Sequence, residues 1–152
     1  MGDSSLQPAP GLDATAARAL LDRARAARAN AYAPYSRFPV GAALLTDDGR
    51  VFTGVNVENA SYGLATCAER AAVARAVAEG ARSFRAVAVA GPEDDVACPP
   101  CGSCRQILHE FGPEMAVVTA GEQGEPRIAA LPALLPDAFG AAHAPPPGEP
   151  WP

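Results

Sequence analysis

The chain has 152 residues and a formal net charge of −5, from 12 Lys and Arg against 17 Asp and Glu; it is 49% hydrophobic and 19% charged. That length suits one domain with its own core, and the composition is that of an ordinary globular protein, neither fibrous nor disordered. No apolar run is long enough to cross a bilayer and there is no basic excess to grip a phosphate backbone, so a membrane-spanning role and a long nucleic-acid partner are both disfavoured, and a small-molecule partner is expected.

Residues 1–11 carry neither a basic start nor an apolar stretch, so they read as a flexible lead and not a secretory signal, with a cytoplasmic location expected. Asp13 is placed to cap a helix running to about Asn30, with Leu12, Ala16, Leu20, Ala24 and Ala27 on its buried stripe and Arg18, Arg25 and Arg28 turned away. Val40 to Thr46 and Val51 to Val57 flank Asp48-Gly49, a strong β-hairpin signal. The alanine-rich stretch from Cys67 to Glu79 closes on Gly80 and predicts a second helix. Ala86 to Ala90 is an unbroken apolar run that fits a strand covered on both faces. A third helix is predicted from about Cys101 to Phe111, stopped by Gly112-Pro113, followed by strands at Ala116 to Thr119 and Arg127 to Ala130 and a short helix from Leu131 to Phe139. Residues 144–152 are too proline-rich for a helix or a central strand and read as an extended tail, which leaves 12–143 as a single domain. The order α-β-β-α-β-α-β-β-α predicts an α/β fold, a three-layer α-β-α sandwich around a five-stranded mixed sheet. Its central β-α-β-α-β stretch is expected to make parallel neighbours, with sites forming at the ends of those strands.

Four cysteines in such a chain read as metal ligands or reduced thiols more readily than as disulfides. Cys101 and Cys104 lie three residues apart at a predicted helix start, so their thiols share a face and can grip one ion. Cys67 opens the preceding helix; with both helix N-termini at one sheet edge, three thiolates could converge, each favoured by the positive end of a helix dipole. Soft sulfur donors without a redox context point to Zn²⁺, and three protein ligands leave a tetrahedral vertex open, as in catalytic sites. Water on such an ion needs a carboxylate to accept its proton, and Glu69 is the candidate. Two residues past Cys67 would point it about 200° away in mid-helix, but in a first turn both side chains can face a group lying off the helix end. Two plainer readings stand beside this one. Thr66-Cys67-Ala68-Glu69 is also a capping box, and Cys98-Pro99-Pro100-Cys101 could complete a closed four-thiolate structural site. His109 and His143, the two imidazoles of the chain, are not expected as ligands.

Cys67-Ala68-Glu69-Arg70, followed by Pro100-Cys101-Gly102-Ser103-Cys104-Arg105-Gln106, resembles the zinc-dependent cytidine deaminases, whose signature exists in a three-cysteine variant. The likeness runs from about Tyr32 to Phe139 and takes in Tyr35-Ser36-Arg37-Phe38-Pro39-Val40-Gly41-Ala42 and Asn56-Val57-Glu58-Asn59-Ala60-Ser61-Tyr62. It implies one Zn²⁺ per subunit on Cys67, Cys101 and Cys104, attack of zinc-bound hydroxide on C4 of cytidine or 2'-deoxycytidine, and Glu69 as the proton shuttle, first to N3 and then to the departing ammonia. It also assigns the sugar to Asn56 and Glu58, the base to Phe38 and the backbone of Ala68, and the leaving amine to the Pro99 carbonyl. Phe139 would reach a neighbouring subunit's site, and Arg70 would donate to the thiolates and offset their charge. The short-chain type is a homotetramer with shared active sites. Three other readings are weighed against this: a deaminase of an aminonucleoside antibiotic such as blasticidin S, base-flipping editing of polynucleotides, and a structural zinc module without chemistry. Glu58 and Phe139 favour the nucleoside; the acidic balance opposes the polynucleotide.

Overall fold

A computed structural model describes residues 11–144 and 148–149, so the expected lead, apart from Gly11, and most of the expected proline-rich tail lie outside the described residues. Helix α1 (Ala14–Arg28) begins where expected, because the Asp13 carboxylate accepts the Ala16 N–H at 2.8 Å and satisfies one of the orphan donors of the first turn. Strands β1 (Gly41–Thr46) and β2 (Val51–Val55) form the expected hairpin, with Gly49 at the turn in a left-handed conformation (φ 85°) that glycine adopts without strain. Then follow α2 (Ala68–Ala78), β3 (Phe84–Ala90), α3 (Gly102–Phe111), β4 (Ala116–Ala120), β5 (Pro126–Ala130) and α4 (Leu131–Leu134).

The five strands make one sheet in the order β2-β1-β3-β4-β5, in which β3 and β4 are parallel and the other neighbours antiparallel. Alternation along the strands divides the core. Ala43, Ala86, Ala88 and Val118 pack against Ala17, Leu20, Leu21 and Ala24 of α1 on one face. Ala42, Leu44, Val87 and Val117 face α2 and α3 through Ala72, Val73 and Leu108 on the other. The layers are therefore α-β-α. The helices come very close to the hairpin: a Cβ at Gly41 would lie 2.0 Å from the Ala24 carbonyl oxygen of α1, and one at Gly54 would lie 2.4 Å from the Ala68 carbonyl oxygen of α2.

Three expectations need correction. β2 and β3 are not parallel neighbours, because β1 lies between them and pairs with both. β2 ends at Val55 and not Val57; beyond it the Asn56 N–H still donates to the Val40 carbonyl, while Val57 makes single bridges to Tyr32 and Thr66. The final helix stops at Leu134, because Leu135 precedes Pro136, whose ring disfavours helical geometry in the preceding residue, and Asp137 then turns left-handed at φ 51°.

Candidate active site and metal centre

Cys67 is the N-cap residue of α2 and Cys101 that of α3, while Cys104 lies in the first turn of α3. Both helices start from the same edge of the sheet, and the sulfur atoms of Cys67, Cys101 and Cys104 all lie within 4.8 Å of one another. Cys104 is buried, Cys67 half-buried and Cys101 exposed, so the group has one open side. Cys98 is not part of it and packs instead beside Gly91, where an added Cβ would come within 3.2 Å of the Cys98 sulfur. The four-thiolate arrangement is therefore not formed. The capping box is not formed either, because the helix starts one residue late for it: Cys67, not Thr66, is the cap.

The donor chemistry fits a soft divalent cation. Burial pushes the Cys104 and Cys67 thiols above their usual range. Burial acts the same way on Cys101, but the Cys104 N–H and the neighbouring thiols outweigh it and hold this thiol low. Three sulfurs sharing charge around one point, with the fourth direction open, match the ligand set and count of a catalytic zinc site.

Glu69, in the first turn of α2, is 95% buried by its 5% exposure, an unusual place for a carboxylate. Burial raises its proton affinity, countered in part by its own backbone N–H and the Cys104 thiol. Glu69 lines a cavity of about 240 Å³ together with Cys67, Cys101, Ala68, Asn56 and Glu58. A second hollow of about 280 Å³, lined by Tyr35, Ser36 and Tyr62, adjoins it through the shared residues Glu58 and Ala65.

Asn56 and Glu58 reach the cavity from the segment just after β2, and each does structural work that the sequence did not announce. The Asn56 amide accepts the Val40 N–H and donates to the Phe38 carbonyl, both at 2.8 Å. One Glu58 oxygen accepts the Tyr35 and Ser36 N–H groups at 3.1 and 3.2 Å. Partial burial raises the Glu58 proton affinity, yet these donors and the Ser36 hydroxyl outweigh it and keep the carboxylate ionised further into acid. Asn56 and Glu58 thus fasten residues 35–40, where Arg37 takes a left-handed turn (φ 58°) and Phe38 stands half exposed.

The structure does not bring every expected residue to the cavity. Phe38 and Phe139 are 49% and 56% exposed and do not line it. Arg70 is exposed and, among the described residues, donates to none of the three thiols. Two residues that the sequence reading left without a role anchor the site from α3. Arg105 donates to the Pro100 carbonyl at 2.8 Å and the Leu134 carbonyl at 2.7 Å, and Gln106 donates to the Phe139 carbonyl at 2.7 Å. Their signal was adjacency to the Cys-x-x-Cys pair.

The profile of the family described as "Cytidine and deoxycytidylate deaminase zinc-binding region" matches residues 14–120. A cytidine deaminase of Sporosarcina psychrophila is 46% identical over 122 residues, 79% of this chain and 88% of that protein. A cytidine deaminase of Mycobacterium tuberculosis is 49% identical over 121 residues, 80% of this chain and 87% of that protein. Among solved structures, the cytidine deaminase from Burkholderia pseudomallei shares 54% identity and superposes with a TM-score of 0.74, covering 80% of this chain and 97% of that one.

Proposed function

The chain belongs to the cytidine and deoxycytidylate deaminase zinc-binding family, and from that premise we propose that it hydrolyses cytidine and 2'-deoxycytidine to uridine and 2'-deoxyuridine with release of ammonia. The observation that carries this reading is the buried Glu69 carboxylate in one cavity with the converging thiols. Cys67, Cys101 and Cys104 would hold one Zn²⁺ per subunit, which would supply a Lewis acid able to make water nucleophilic at neutral pH.

Glu69 takes a proton from the attacking water and delivers it to N3 of the ring, then carries the second water proton to the amine leaving C4, so that ammonia departs and a carbonyl remains. Its burial suits the task, because a carboxylate withdrawn from solvent binds a proton more readily than a surface one. The Pro99 carbonyl, on the cavity wall, accepts from the amine, and proline keeps that acceptor although it lacks an N–H. The Ala68 backbone meets the pyrimidine. Asn56 and Glu58, which both line the cavity, hold the sugar hydroxyls with the lone pairs and amide hydrogen that loop anchoring leaves free. By fastening residues 35–40 they also set where Phe38 meets the base.

Arg70, exposed one residue past Glu69, would relieve the excess negative charge of a three-sulfur centre by swinging its guanidinium onto the thiolates. Residues 12–143 form the catalytic domain. The working form is a homotetramer in the cytoplasm, with Phe139 entering a neighbour's site; its 56% exposure in the single chain supports this. Among the described residues, no helix is long and apolar enough to cross a membrane.

The test follows ultraviolet absorbance of cytidine with the wild type and Glu69→Gln while assaying zinc in both. Glu69→Gln retains zinc and loses turnover by a factor on the order of 10²–10⁴. Equal turnover in the two proteins would remove Glu69 from the reaction. A wild type that ignores cytidine and deoxycytidine but deaminates blasticidin S would move the reading to the aminonucleoside antibiotic.

A further inference from the structure

One wall of the cavity belongs to the long connection between β3 and α3, which supplies Cys98, Pro99 and Cys101. Among the described residues, no backbone-to-backbone hydrogen bond engages the stretch from Gly91 to Pro100. Two of these residues are adjacent prolines without an N–H to offer. A segment so poor in its own ladder needs external anchors to hold one shape.

The anchors are arginines. Arg28 of α1 donates one guanidinium nitrogen to the Gly91 carbonyl and another to the Asp94 carboxylate at 2.8 Å. Arg25, one turn earlier, donates to the Asp94 carbonyl at 2.7 Å and the Gly124 carbonyl at 2.9 Å. Arg105 holds the far end through the Pro100 carbonyl. The side chains of Arg25 and Arg28 are only 16% and 19% exposed, against 64% for Asp94. Two long cations are thus laid down against the loop, where a solvated helix face would leave them in water. Gly124 permits this approach, since a Cβ there would come within 3.3 Å of both the Arg25 guanidinium and the Asp94 carbonyl oxygen. Gly91 permits the loop to close on itself against Cys98.

We propose that Arg25, Arg28 and Asp94 form a clamp that positions the β3–α3 loop, so that α1, on the opposite face of the sheet from α2 and α3, sets the placement of Pro99 and Cys101 in the active site. None of the three lines the cavity, and they act through the loop as positioning residues. A guanidinium binds two acceptors in a fixed plane, whereas an ammonium at the same place is a point charge that cannot span the Gly91 carbonyl and the Asp94 carboxylate together.

This inference rests on the deaminase reading for its kinetic consequence but not for its structural one. The experiment compares wild type, Asp94→Ala and Arg28→Lys in the zinc-loaded protein by three measurements: the rate of cleavage after the exposed Glu93 by a glutamate-specific protease, the rate of zinc transfer to a chromogenic chelator, and KM and kcat for cytidine. Asp94→Ala is a surface change, so the fold survives it. Both variants are expected to be cut there about tenfold faster and to give up zinc about tenfold faster. KM should rise several-fold while kcat stays within about threefold. The double change Asp94→Ala with Arg28→Lys should cost less than the sum of the two single changes, because both lose the Arg28–Asp94 contact. Unchanged cleavage would show that the clamp does not hold the loop. Faster cleavage with wild-type zinc transfer and KM would show that the loop's shape does not reach the site; either result overturns the proposal. A wild type without cytidine turnover would defeat the deaminase reading, while cleavage and zinc transfer would still decide this one.

Discussion

Asp48 sits in the hairpin turn between β1 and β2, where it accepts from the Thr46 hydroxyl and from the Arg50 guanidinium at 2.9 Å. The Arg50 side chain first, and the Thr46 hydroxyl second, hold its carboxyl at about 2, below the ordinary 3.8. A carboxyl whose folded pKa is depressed contributes stability that is complete above its unfolded value and is lost as pH falls through the folded one. Urea unfolding of wild type against Asp48→Asn should therefore show the largest difference above about pH 4, a shrinking one as pH falls, and none well below pH 2. Parallel curves across that range would show that the turn contacts do not couple to folding. The turn is fully at the surface, so the effect is modest. Elsewhere at this scale, the thiols and Glu69 could be read as site residues from spacing, because their chemistry depends on which atoms they carry. Arg25 and Arg28 could not. Their helical position marked them as solvated charges, and their role depends on Gly91 and Asp94, carried by a loop more than sixty residues away.

The elements followed from periodicity and punctuation, since each is a local consequence of where apolar residues and caps fall; Asp13, Asp48-Gly49 and Gly80 marked real boundaries. Strand order was not legible in the same way. The central β-α-β pattern suggests that β2 lies beside β3, but the hairpin partner β1 occupies that place, and pairing partners are chosen by long-range packing. Gly54 shows how tightly that packing is drawn. It faces α2, and its missing side chain lets the first turns of that helix rest on β2. Gly54→Ala should destabilise the protein by about 1–3 kcal/mol through overpacking, read as a lower urea midpoint with an unchanged slope. A neutral result would mean that α2 can shift outward at no cost, and the separation of Cys67 from Cys101 would then be far less fixed than the structure indicates.

The whole molecule leaves a band of large apolar side chains uncovered around the site: Tyr62 is 76% exposed, Leu64 69% and Tyr35 46%, with Tyr35 and Tyr62 meeting edge to face at 5.7 Å between ring centres. A band of this kind is suited to burial against other copies of the chain, in keeping with the proposed tetramer. Sedimentation velocity should give a tetramer for the wild type and smaller species for Leu64→Lys, with cytidine turnover falling alongside assembly. A monomeric wild type with full activity would discard shared sites. Sequence could name Phe139 as a candidate only through resemblance, because nothing local distinguishes an aromatic bound for a neighbour from one left at the surface. A different tension is built into the two helix starts that carry the metal-binding thiols. Cys67 and Cys101 stand where serine or aspartate would seal the first turn; the Cys67 thiol makes no cap, and the Cys101 thiol offers the Cys104 N–H only a weak acceptor. Directed evolution for heat tolerance alone would therefore favour oxygen at these two places and harvest sturdier proteins that no longer work.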